Sequence, residues 1–354
     1  MQKKTNKQSN RFHNNLNKVL HDNNYLSSRR LKRQAQVGYQ TRADRNKKIP
    51  AIFNDLAKIG YQLPRPSSFK EKHAFALVAY WQSKGLDNKT INCRLSMMRT
   101  VAHWVGKTGM IKESGRYYAN PEDAVVHVVN QQDKSFTQNG VDPIKVINTV
   151  LAEDINIGAS MLAALAYGLR FQEACQIRPH VTIQDFTFEI LTIDKGTKGG
   201  LTRILPMETP FQRDVLEFLK SLAPRREASV IPHDKTLKQY CSRFRYLMGK
   251  HGVTKKGLGV TMHGLRHEYI NDRYKELIGF ETAIRGQQPG EVTDEADKYA
   301  RRVIMQEVGH SRTCVFSAYG GNCETSKPDF SKISREHALA KTVSDNPDTS
   351  DKQT

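Results

Sequence analysis

The stretch GHSRTCVFSAY, residues 309–319, sets a histidine and a tyrosine nine residues apart, shortly before a polar C-terminal segment. Two readings compete for Tyr319. It is a packing side chain, or it is a nucleophile whose phenolic oxygen attacks phosphorus and stores the bond as a phosphotyrosine ester. The second reading demands cations gathered around the tyrosine, so the rest of the chain decides between them and, with them, the fold.

The chain has 354 residues, with 55 Lys and Arg against 36 Asp and Glu, a formal net charge of +19. Its length allows about two domains, and 38% hydrophobic residues mark a globular protein. Lys and Arg release counterions when they neutralise phosphates, which makes nucleic acid the leading partner. A membrane surface is the lesser reading, because no lysine-rich helix with an aromatic face stands out. The longest apolar run, ASMLAALAYGL (159–169), is too short to span a bilayer. The polar N-terminus QKKTNKQSNRFHNN shows no signal peptide. Cys93, Cys175, Cys241, Cys314 and Cys323 are odd in number, widely spaced and without a CxxC pair, so they are read as reduced thiols. The expected location is the cytoplasm, on the bacterial nucleoid when DNA is bound.

Five segments follow. Residues 1–50 carry thirteen Lys and Arg against Asp22 and Asp44 and are read as a basic N-terminal arm, either solvated or lying on DNA. Residues 51–106 are read as a helical DNA-binding module. Ile52, Leu56 and Ile59 repeat at helical spacing, and Ile91, Leu95, Met98 and Val101 give a later helix its buried stripe. Asp87 or Asn88 caps that helix, while Arg94, Arg99 and Lys107 are expected to face outward toward DNA. Residues 107–140, rich in Gly and polar residues, form a linker. Residues 141–322 make a second domain opening on Asp142 as cap and Pro143 at the first helical position. There FTFEILTID (186–194), GTKGG (196–200) and LTRILPM (201–207) read as strand, turn and strand. Helical runs follow over 210–222, 234–249, 262–278 and about 293–308. Residues 323–354 form a polar tail.

Four separated pieces of the second domain carry possible chemistry. In AYGLRFQEACQI, Arg170 follows an apolar helix and Glu173 sits one turn later. In DKGTKGG, Lys195 or Lys198 stands on a glycine-flanked hairpin tip. In TMHGLRHEYI, His263 and Arg266 share a helix face at i and i+3. His263 and His267 have the spacing of a metal pair, but no third ligand is evident. The fourth piece contains His310 and Tyr319.

In that order, YGLRFQE, the hairpin lysine, HGLRH, and VGH followed by Tyr319 resemble the tyrosine recombinases, the phage-integrase family. The resemblance covers about 140–320, with 51–106 similar to the family's core-binding domain. It implies a mainly α fold with a small β-hairpin or sheet (α+β), a helical core-binding domain beside a recombinase catalytic domain. The implied activity is site-specific recombination or integration for a mobile element, through a 3′-phosphotyrosine intermediate, without metal, ATP or other cofactor. The implied roles are Arg170 and Arg266 on the non-bridging oxygens, Lys198 as acid for the 5′-oxygen, His263 in proton transfer or phosphate binding, His310 on a non-bridging oxygen, Glu173 as buttress and Tyr319 as nucleophile. The family places its lysine eight residues before a strand-ending proline, which favours Lys198 given Pro206. The implied partners are double-stranded attachment-site DNA, a homotetramer in the synapse and accessory DNA-bending proteins.

Two arginines suit this chemistry because their planar forks give permanently charged, bidentate donors. One departure stands out: Arg266 and His310 lie 44 residues apart, and GFETAIRGQQPGEVTDEADKYAR (279–301) reads as an insertion whose loop contacts DNA or a neighbouring subunit. It contains Tyr299, the rival nucleophile. The competing functions are a DNA-binding architectural or regulatory protein without catalysis, a type IB topoisomerase-like enzyme and, more remotely, a metal-dependent nuclease.

Overall fold

The computed structural model describes residues 2–26, 36–125, 129–184, 189–223 and 225–323. The chain divides into two compact units, 1–127 and 128–354. The first contains α1 (Gln2–Asn23), α2 (Tyr39–Lys58), α3 (Glu71–Ser83) and α4 (Asn88–Trp104). Asp87 caps α4 by accepting from the Thr90 N–H, satisfying a backbone donor that helix geometry leaves open. Ile52, Leu56, Leu77, Trp81, Ile91 and Leu95 form one buried core.

Within the expected arm over 1–50, α1 and α2 contribute buried residues to this core. Phe12, Leu16 and Leu20 of α1 sit on one helical stripe and are buried with Phe53 of α2 and the rest of the cluster. Arg45, counted as a free cation, is buried instead: it donates to the carbonyls of Asn24 (3.0 Å) and Leu26 (2.9 Å). Arg29, Arg30, Lys32 and Arg33 lie outside the described residues.

The three cations expected to face DNA are half-buried and engaged internally. Arg94 pairs with Asp55 at 2.9 Å and lies over the Trp81 ring, whose Nε1 donates to the same carboxylate. Arg99 donates to the carbonyl of Lys112, and Lys107 donates to those of Ser67 and Phe69. Each cap or clamp satisfies a polar atom that burial would otherwise strand.

In the second unit α5 (Pro143–Glu153) begins with Asp142 accepting from the N–H groups of Ile144 and Lys145. α6 (Ile155–Tyr167) is almost wholly buried and forms the spine, packed against α5 and its neighbours. α7 (Phe171–Cys175) follows a single left-handed residue, Gly168. The sheet has three antiparallel strands, β1 (Thr182–Gln184), β2 (Glu189–Ile193) and β3 (Arg203–Pro206), in that order. The expected hairpin is β2–β3, with Ile193 opposite Arg203; β1 was not foreseen. Residues 185–188, which include the start of the expected first strand, lie outside the described residues, as does the tail from 324.

α8 (Pro210–Leu222), α9 (Leu237–Lys250), α10 (Met262–Ile278) and α11 (Asp294–Glu307) fall on the four expected helical runs. α12 (Ser317–Gly320) is one short turn carrying Tyr319. It is held by a compact cluster that includes Ile270, Tyr274, Ile304, Val308 and Phe316. No described helix is long and apolar enough to cross a membrane.

Candidate active site

α10 presents the HGLRH motif. Arg266, in its second turn, is fully buried, so every donor it carries needs a partner. Nη1 donates to the Gly168 carbonyl at 2.6 Å, Nη2 to the Val308 carbonyl at 2.7 Å, and Nε to the Tyr319 hydroxyl at 3.2 Å. Three elements distant in sequence therefore meet on one guanidinium. Burial pushes Arg266 down to about 10, which leaves it charged at neutral pH.

Gly168 makes this meeting possible. It has φ +60°, and a Cβ there would lie 2.4 Å from the Tyr269 ring. Only a residue without a side chain turns the chain here while aiming its carbonyl at Arg266.

Arg170 follows immediately, at the start of α7. Its Nη1 donates to Glu173 at 2.8 Å and its Nη2 to His310 Nε2 at 3.1 Å. A guanidinium has no acceptor, so His310 Nε2 is the acceptor and the neutral ring carries its proton on Nδ1. His310 Nε2 also lies 3.4 Å from the Tyr319 hydroxyl. Desolvation, then the charges of Arg266, Arg170, Lys198 and Arg203, lower His310 to about 4.

Glu173 is fully buried beneath these groups. Burial alone would raise its pKa. The two-pronged bond from Arg203, the Arg170 backbone N–H at 2.7 Å and the Arg170 charge reverse that and hold it at about 2. Arg203 was missed by sequence reasoning. It sits on β3 with its side chain turned inward, and its Nη1 and Nη2 each lie 2.9 Å from a Glu173 oxygen.

His263 and His267 flank the phenol from α10, with ring centroids 5.9 and 4.8 Å from that of Tyr319. His263 keeps an exposed edge, yet crowding by protein atoms, then Arg266, Arg170 and Lys134, lower it to about 4. His267 is buried, and burial first, then the neighbouring His263 and Lys134 charges, lower it to about 3. Both are neutral at physiological pH.

Lys198 is exposed on the β2–β3 turn, near enough for its charge to act on His310. Lys195 is exposed on the same turn. Tyr299, the rival nucleophile, is half exposed on α11, with Arg302 over its ring. Tyr319 is 6% exposed and in contact with the cationic cluster. Among the described residues no group of three or more His, Cys, Asp or Glu is arranged to hold a metal ion.

The 279–301 segment is docked on its own unit. Thr282 donates to Asn271 at 2.7 Å, Gln287 to the Tyr274 hydroxyl at 3.3 Å, and Arg285 pairs with Asp133, Glu268 and Asp272. Its later residues are the first turns of α11. The segment read as an insertion packs on its own unit, because its polar side chains find partners on α10 and at Asp133.

Residues 25–111 match a family model described as phage integrase, N-terminal. Lambda integrase (residues 75–356), solved as a dimer on a COC′ core site, has a TM-score of 0.56 at 15% identity, covering 90% of this chain and 98% of that one. XerH site-specific recombinase bound to a palindromic difH substrate gives 0.52 at 11% identity, covering 93% and 94%. The Tn1549 transposon integrase with transposon right-end DNA gives 0.50 at 13%, covering 87% and 94%. No curated protein gives a significant match. The chain thus shares its fold with lambda integrase, XerH recombinase and the Tn1549 integrase, and residues 25–111 match the phage-integrase N-terminal domain.

Proposed function

We propose that the chain is a site-specific DNA recombinase or integrase of a mobile element. The observation that carries this is the Tyr319 hydroxyl, 3.2 Å from Arg266 Nε and 3.4 Å from His310 Nε2, with Arg170 bonded to the same histidine. A packing tyrosine needs one hydrogen-bond partner. This one faces two guanidinium-linked groups that match a phosphodiester.

In the proposed reaction Tyr319 Oη attacks phosphorus, its P–O bond forms, and the bond to the 5′-oxygen breaks. The 3′-phosphotyrosine ester keeps the bond energy for rejoining, and no ATP is consumed. The tyrosine proton passes to a neutral imidazole; His310 Nε2, 3.4 Å away, becomes free to take it when the phosphate draws Arg170 off that nitrogen. Arg170 and Arg266 balance the charge gathering on the non-bridging oxygens, each preorganised donor lowering the barrier by about 3 kcal/mol. His263 adds a donor to the phosphate, and Lys198 gives the leaving 5′-oxygen its proton. Glu173 orients Arg170 and does no chemistry itself.

The partner is duplex DNA carrying recombination sites, and the place of action is the cytoplasm. Lambda integrase has been solved as a tetramer on a Holliday junction. The shared fold supports a homotetramer for this chain's synapse.

The test is a nicked suicide substrate carrying the element's end, in chelator and without ATP. Wild type should give a denaturation-resistant protein–DNA band, and Tyr319→Phe should give none. Binding without an adduct in wild type overturns the proposal in favour of a DNA-binding protein. An adduct surviving Tyr319→Phe moves the nucleophile to another tyrosine.

A further inference from the structure

The segment just before α5 is pinned to the first turns of α10. Asp133 is almost fully buried and pairs with Arg285 at 2.9 Å. Ser135 is buried, and its N–H donates to Asp133. The N–H groups of Phe136 (2.7 Å) and Thr137 (3.1 Å) both donate to the buried carboxylate of Glu268, which Arg285 also contacts at 3.0 Å. Between these anchors stands Lys134. Its carbonyl lies over Gly264, where a Cβ would come within 2.5 Å of it. Gly264 is the neighbour of His263, so the backbone of Lys134 is seated beside the phosphate pocket. A bulkier residue at 264 would lift it away.

The Lys134 side chain is exposed and forms no ion pair among the described residues. Its charge reaches both His263 and His267, the two rings beside Tyr319. An exposed ammonium on a backbone pinned beside a phosphate site, with its own carboxylate neighbour occupied by another cation, is available to a ligand anion. Asp133 cannot quench it, because Arg285 takes that carboxylate.

We infer that Lys134 is a DNA-phosphate contact at the mouth of the Tyr319 site, and that the 279–301 segment, through Arg285, serves to position it. The inference rests on the proposed reading of the site and assigns the segment a role inside its own subunit. The contacted group is a backbone phosphate close to the scissile one, because the lysine borders the pocket that holds the reacting groups.

Two readouts separate this from general surface charge. The first is the salt dependence of binding to a 30-base-pair duplex by the full chain. Losing one phosphate contact should lower the slope of log K against log salt by about 0.9 in Lys134→Gln, and Lys134→Arg should restore it. The second is the single-turnover rate of adduct formation at saturating protein. It should fall at least tenfold in Lys134→Gln, since the contact adjoins the reacting phosphate. Asp133→Asn, which keeps the acceptor for Ser135 but weakens the tie to Arg285, should slow the same step. Its effect should disappear in the Lys134→Gln background. An unchanged slope and rate in Lys134→Gln overturns the contact. Additive effects of the two substitutions overturn the positioning role of Arg285. If wild type forms no adduct at all, the recombinase reading fails, while the salt slopes still decide whether Lys134 touches DNA.

Discussion

Replacing Arg203 by Ala tests whether the charge balance beneath the site is as described. Glu173 has no exposed surface and four close donors: the two prongs of Arg203, Arg170 Nη1 and the Arg170 backbone N–H. Removing one partner of a buried pair costs about 3–5 kcal/mol. Two of the four donors remain, so the expected loss is about 2–3 kcal/mol. With a urea slope of about 1–3 kcal/mol/M, the midpoint falls by roughly 1 M. Far-UV circular dichroism follows the helices of both units. Trp81 and Trp104, the only tryptophans, both lie in the first unit, so unchanged native fluorescence shows that the substitution acts locally. Cleavage should also slow, because Glu173, left with Arg170 and with Arg266 at 3.9 Å, draws Arg170 from His310. Adding Glu173→Gln removes the stranded charge and should recover most of the stability. A midpoint unmoved by Arg203→Ala, or a double variant no more stable than the single, refutes the reasoning.

Other expectations follow from neighbouring groups. Lys198→Met should slow cleavage by about 100-fold or more, and a substrate with sulfur replacing the bridging 5′-oxygen should restore the rate, since a thiolate leaves without a proton. Lys195→Met should leave the rate near wild type. His267 is held at about 3 when folded, against about 6.5 unfolded. As pH falls below 6.5 the unfolded chain takes up the proton first, so stability is lost from there down to about pH 3. His267→Asn should flatten that decline, by up to about 5 kcal/mol across the window, in urea titrations at stepped pH. Gly168→Ala places a side chain at φ +60° and against Tyr269, which should lower stability by about 1–3 kcal/mol. It should cost adduct formation more than DNA binding, because the Gly168 carbonyl anchors Arg266.

Much of this was legible in the chain. Asp87 and Asp142 marked helix starts by local chemistry, and local chemistry is what a sequence displays most directly. The gathering of Arg170, His263, Arg266, His310 and Tyr319 followed from ordered motifs. Arg203 was not read, although a signal existed. In LTRILPM it shares strand parity with Leu205 and Met207, both buried, and a buried arginine must find a carboxylate. The N-terminal stripe of Phe12, Leu16 and Leu20 was equally present, but the charge surplus outweighed it. The 279–301 segment could not have been placed. Thr282, Arg285 and Gln287 dock through polar contacts with residues elsewhere, and such contacts leave no period in the sequence.

Arg266 is held by carbonyls of its own chain, and its Nε meets the Tyr319 hydroxyl of the same chain. If cleavage uses this arrangement, each subunit cuts with its own tyrosine. Mixtures of intact and Tyr319→Phe chains should then lose cutting in simple proportion to the inactive fraction. A nucleophile lent between neighbours would instead allow chains lacking Tyr319 to be complemented by chains lacking Arg266.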